Sequence, residues 1–156
     1  MKKPQYEEQA KVNELRLDSL ESGIPALTSR RAGVHMEACI WCLLECKHTS
    51  GVRLKVLEKH DNLLYQILWP EDAIDADALY RAYNEDDGPE DGAVAIALLL
   101  VRERTDYTAV RRSVTRTGID YWLGYKDIQN EQIFGWENAR LEVSGILRES
   151  RSNKPK

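Results

Sequence analysis

Residues 93–101, AVAIALLLV, constrain the fold more than any other part of the chain. The run is apolar on nearly every side of a helix, so it belongs inside a protein or inside a membrane and not on a surface. Nine helical residues rise roughly 14 Å, well short of the ~30 Å of hydrocarbon in a bilayer. The run therefore predicts a central core helix, which other elements must cover from several sides. A chain of 156 residues can do this as one domain with a sizeable core. Its 42% hydrophobic and 31% charged residues are a globular mixture.

The covering elements are legible as patterns. Residues 1–22 are polar with sparse leucines at 15, 17 and 20, and are expected to form an exposed helix or a loose arm. Gly23 and Pro25 break the chain, Ser29 suits an N-cap, and residues 32–47 read as a long, largely buried helix. VRLKVLEK and NLLYQILW flank His60, Asp61 and Asn62, which predicts a hairpin with Val52, Leu54 and Val56 on one face. Pro70 with Glu71 and Asp72 starts a short helix, NEDDGPEDG reads as a loop, and the core helix runs to about residue 104. Strands follow at about 107–116, 119–125 and 139–147, ahead of a frayed basic tail at 149–156. The expectation is a single α/β (or α+β) domain over residues 23–148, with helices packed on a mixed sheet of about five strands.

Two conspicuous clusters fail simple tests of chemistry. His35, Cys39, Cys42 and Cys46 share one helical face, but eleven residues of helix span roughly 16 Å, while a tetrahedral ion needs all four ligands at about 2.0–2.3 Å. They read as core packing. Three cysteines cannot close a disulfide framework, and they fit a reducing compartment. Residues 71–91 carry nine carboxylates against one arginine, yet no register offers the acids of a calcium loop, because Tyr83 or Pro89 falls where a ligand is needed. That stretch reads as a solvated surface or a face for a basic partner.

A net charge of −4 argues against a general nucleic-acid coat, although local basic patches remain. Arg111, Arg112 and Arg116, near Arg102 and Arg104 and joined by Arg53 and Lys55, are candidate contacts to phosphate or to a protein partner. The opening MKKPQYEEQAKVNELRL turns charged where the core of an export signal would begin, so a cytoplasmic location without membrane contact is expected.

The clearest candidate site lies in TRTGIDYWLGYKD and ARLEVSGIL. Each segment alternates like a strand and carries one carboxylate, Asp120 or Glu142. On antiparallel neighbours the two can project from one side, where their repulsion calls for a cation, an arginine or a shared proton. A divalent metal there is a common basis for phosphodiester chemistry. Glycines at 118, 124 and 145 permit close backbone approach beside them.

A strand with Gly-x-Asp, a connector, and a strand with Glu-x-Ser resembles the PD-(D/E)XK restriction-endonuclease-like superfamily. TGIDYWLG and ARLEVSG are also similar to segments of small bacterial proteins. The superfamily resemblance covers residues 88–147 and implies a helix that donates an acid, Glu90 or Glu103, followed by Asp120 and Glu142. It further implies a permuted core, with the helix at 32–47 and the strand at 51–59 supplied from the N-terminal side. Glu90, Asp120 and Glu142 would then be metal ligands for Mg²⁺ or Mn²⁺, and Asp120, Glu142 and Ser144 the catalytic set. Ser144 departs from the pattern, since it stands where the superfamily has a lysine that activates water. Lys126 is a distant substitute. Two functions follow: an auxiliary, non-catalytic protein that binds nucleic acid or a protein encoded nearby, with homo-oligomer formation open, or a metal-dependent nuclease. An unrelated α/β interaction domain is the third.

Overall fold

The structure is a computed structural model that describes residues 12–127, 137–150 and 152. The order of elements is β1 (Asn13–Arg16), a one-turn 3-10 helix (Leu17–Glu21), α1 (Ser29–Glu45), β2 (Val52–Leu57) and β3 (Asn62–Leu68). A second 3-10 turn (Glu71–Ala73) leads to α2 (Ala76–Ala82), α3 (Gly88–Arg104), β4 (Tyr107–Arg112), β5 (Tyr121–Tyr125) and β6 (Ala139–Leu141). The mixed α/β architecture is as the sequence predicts. Among the described residues six strands form two three-stranded sheets, however, where one sheet of about five was expected.

The helices start and stop where local chemistry dictates. The hydroxyl of Thr28 accepts from Arg31 N–H at 3.2 Å and caps α1. Asp75 does the same for α2, accepting from Ala78 N–H at 3.1 Å. Helix α3 begins at Gly88, earlier than expected, because Pro89 in its first turn lacks an N–H that would go unpaired and Glu90 and Asp91 complement the helix dipole. Arg102 and Arg104 close its last turn.

Helices α1 and α3 pack on each other through Gly92. A β-carbon there would lie 3.1 Å from the Cys39 backbone, so the small residue sets how closely the two helices approach. Around this pair a single apolar cluster includes Ile40 and Trp41 of α1, Leu98 and Leu99 of α3, Tyr65 and Ile67 of β3, and Tyr121 and Leu123 of β5.

The N-terminal segment departs most from expectation. Residues 13–16 are a strand that pairs in parallel with β3, Asn13 opposite Tyr65 and Arg16 opposite Leu68. Leu15, Leu17 and Leu20 are buried, so residues 13–21 belong to the core and are not a loose arm. The expected structure of residues 1–11, and most of the expected frayed tail, lie outside the described residues.

The hairpin of β2 and β3 has the predicted register, with Val52, Leu54 and Val56 half-buried and Arg53, Lys55 and Leu57 exposed. In the other sheet, β4, β5 and β6 form an antiparallel meander with an irregularity between Ala109 and Arg111. Both ladders beside β5 are shorter than the sequence suggests. Strand β4 ends at Arg112, and the chain turns through Arg116 and Gly118, at φ 71° and 70°. Strand β6 ends at Leu141, after which residues 142–148 continue as a strap with no ladder partner among the described residues. Among the described residues no helix is long and apolar enough to cross a membrane.

Candidate functional site

The strap brings the candidate acids together. Asp120 precedes β5, Glu142 follows β6 and Glu90 sits in the first turn of α3, yet all three line one lobe of a cleft of about 320 Å³. Arg112, Ser113, Thr115 and Arg116 complete its wall. Backbone pairing holds the floor in place: Ser113 N–H donates to Asp120 O at 2.8 Å, and Asp120 N–H donates to Leu141 O at 2.8 Å. Asp120 Oδ2 accepts from Val143 N–H at 2.6 Å, which ties the carboxylate to the strap.

A second lobe of about 240 Å³ shares Glu90, Arg112 and Asp120 with the first. It adds Arg31 and His35 from α1, Asp87 and Asp91 from the start of α3, and Tyr121. His35 is 1% exposed and takes no charge readily: burial pushes its pKa down, against the upward pull of the Asp91 carboxylate. Its Nδ1 lies 3.2 Å from Asp91 O and 3.3 Å from Asp91 Oδ1, and its Nε2 lies 3.2 Å from the Tyr121 hydroxyl. Burial raises the pKa of that hydroxyl, so it stays a neutral donor.

Among the described residues five carboxylates and three guanidinium groups thus face the combined cleft. Among the described residues Arg31, Arg112 and Arg116 make no ion pair, whereas Arg111 pairs with Glu137 and Arg104 pairs with Glu58 at 3.0 Å. The exposed guanidinium groups of Arg112 and Arg116 are suited to an anionic group, and Arg31 lies deeper, hydrogen-bonded to Tyr121. The acids around them are suited to accept hydrogen bonds.

The residues singled out in the sequence divide accordingly. Asp120, Glu142 and Glu90 share the cleft with Arg112 and Arg116. Arg111 is drawn to Glu137, Glu103 lies at the far end of α3, and Lys126 donates to Arg102 O at 2.8 Å beyond the other end of β5. Arg53 and Lys55 lie on β2, in the other sheet. Ser144 does not join Glu142. It lines a separate cavity of about 360 Å³ with Cys39, Cys42, Cys46 and His48. Residues 142–148 lie outside the ladder yet keep the expected alternation, with Val143, Gly145 and Leu147 half-buried and Glu142, Ser144 and Ile146 exposed, so Glu142 and Ser144 share a face but line different cavities. Arg31, His35 and Asp91 were not anticipated as site residues. The only sequence signal was a histidine among apolar neighbours on α1.

The fit to a metal ion is poor as the side chains stand. Among the described residues no three His, Cys, Asp or Glu side chains are close enough to hold an ion, and one oxygen of Asp120 is already used by the strap. The cysteine stripe is also quiet chemically. Burial pushes the Cys39 thiol up to about 12 and the Cys42 thiol up to about 11. No family model, curated protein or solved structure matches the chain.

Proposed function

We propose that the protein is a nucleic-acid-binding accessory with a restriction-endonuclease-like core, which grips a single strand in this cleft and does not cut it. The observation that carries this reading is the meeting of Arg112 and Arg116 with Asp120, Glu142 and Glu90 around one cleft. The chain order of α3, β4, β5 and β6 fits the resemblance, with Glu90 in the helix, Asp120 just before β5 and Glu142 just after β6, whereas β2, expected to complete the same permuted core, lies in the other sheet. The serine at position 144, its placement in another cavity and the tethered Asp120 all speak against a water-activating centre.

Charge decides the kind of nucleic acid. With carboxylates outnumbering guanidinium groups, the cleft has no field to steer a duplex from a distance. Contacts must instead be local, with arginines on phosphates and carboxylates accepting from the amino groups of splayed bases, as single strands allow. Three phosphate contacts to a single strand predict a salt slope of about −2, so affinity falls roughly twentyfold between 50 and 200 mM salt.

Fluorescence anisotropy with labelled 20-nucleotide DNA, RNA and duplex tests this. Single strands should bind better than duplex, with that slope, and charge reversal at Arg112 and Arg116 should weaken binding at least tenfold. No binding to any of the three at 50 mM salt overturns the proposal and leaves a protein partner as the better reading. A second reading, a metal-dependent nuclease, rests on the three acids lining one cleft and requires them to move closer together to hold an ion. Strand breaks in Mg²⁺ or Mn²⁺ that disappear with Asp120→Ala would establish it instead.

A further inference from the structure

We infer that His35 is the positioning residue of the cleft, a buried ring that fixes the separation of Glu90 and Asp120. The inference rests on the binding role proposed for those acids. His35 stands in the middle of α1, lines the inner lobe, and contacts α3, which carries Glu90, and β5, which begins just after Asp120. Both Asp91 atoms near Nδ1 are acceptors, so that nitrogen carries the ring proton. The unprotonated Nε2 then accepts from the Tyr121 hydroxyl. One ring therefore joins the residue after Glu90 on α3 to the residue after Asp120 on β5.

A leucine would fill this place among the apolar neighbours of α1 without the desolvation that an imidazole brings. What leucine lacks is direction, since apolar contact tolerates sliding and two hydrogen bonds at fixed angles do not. The ring also sits on a chain of contacts that reaches the strap, because Asp120 in turn holds Val143 N–H.

Three variants separate positioning from mere packing: His35→Leu, His35→Asn, which keeps a donor near the Nδ1 position, and Tyr121→Phe. Each is assayed with a labelled single-stranded 20-mer at a temperature where circular dichroism shows it folded. His35→Leu should bind at least tenfold more weakly and His35→Asn within about threefold of wild type. Tyr121→Phe should weaken binding alone and add nothing in the His35→Leu background, the sign of a shared contact. A ligand-free readout runs beside these. Amide exchange at Val143 should quicken at least tenfold in His35→Leu while the β2–β3 hairpin is unchanged.

If folded His35→Leu binds like wild type and Val143 keeps its protection, the inference is overturned. If the wild type binds no nucleic acid, the functional proposal falls, and the exchange at Val143 alone decides whether His35 positions Asp120.

Discussion

Gly145→Ala is the sharpest test of how the strap is seated. A β-carbon at Gly145 would lie 1.9 Å from Pro89 O, 2.3 Å from its carbonyl carbon and 2.8 Å from Glu90 N. All three are backbone atoms at the start of α3, so no side chain can rotate out of the way. Either α3 shifts, which its packing on α1 resists, or the strap lifts. Overpacking of this kind costs about 1–3 kcal/mol. Lifting the strap would also break the bond from Val143 N–H to Asp120 Oδ2, a charged acceptor worth about 1.5–3 kcal/mol. The smaller of the two routes sets the outcome, about 2 kcal/mol. With an m-value of about 2 kcal/mol/M, the urea midpoint falls by about 1 M with m unchanged. Because Glu142 rides on the same strap, single-strand affinity should fall with it. Gly51→Ala provides the contrast: φ is 93° and nothing lies within 4 Å, so only a backbone penalty of about 1–2 kcal/mol applies, with affinity intact. A Gly145→Ala protein with a wild-type midpoint would refute the close seating of the strap on α3.

Three further outcomes are expected. His35 is held neutral by burial below the ~6.5 of an unfolded histidine, so its contribution is present above that pH and is lost as pH falls toward the folded value. Urea midpoints should drop between pH 7.5 and 5.5, and His35→Leu should flatten the drop; an equal slope in both proteins counts against this. Cys39 and Cys42, with thiols raised by burial to about 12 and about 11, should escape iodoacetamide at pH 8 until urea unfolds the chain, as mass spectrometry will read. Gly92→Leu should cost more than about 3 kcal/mol by forcing α1 and α3 apart at Cys39, whereas Gly92→Ala should lose only about 1, since helix propensity offsets part of the crowding.

Local chemistry made much of the fold readable. Alternation in residues 52–68 announced the hairpin, and the apolar run in α3 announced the core helix. Strand β1 escaped because it is four residues long and pairs in parallel with a strand far along the chain, so no nearby turn marks it. The division into two sheets escaped for a related reason: alternation tells which face of a strand is buried but not which strand lies beside it. At the site, Asp120 and Glu142 were legible as a pair because both border β5 and β6. Alternation in ARLEVSGIL holds to Leu147 although the ladder stops at Leu141, so it gave the exposed side of Glu142 and Ser144 but not the separate cavities that they line. The close approach of Gly145 to Pro89, which turns the strap aside, is a tertiary contact with no trace in the local pattern. Arg31 and His35 were unreadable as site residues because their neighbours in the cleft come from α3 and β5.

The parallel pairing of β1 with β3 carries a consequence for synthesis. Residue 16 leaves the ribosome roughly fifty residues before residue 68 completes its partner strand. At about 5–20 residues per second that interval is roughly 3–10 s, long compared with collapse of a short chain. Leu15, Leu17 and Leu20 therefore emerge uncovered, and most of α3, which contacts this segment, follows later still. The first apolar segment of the core is among the last to be enclosed, which marks it as the part of the nascent chain that a chaperone would meet.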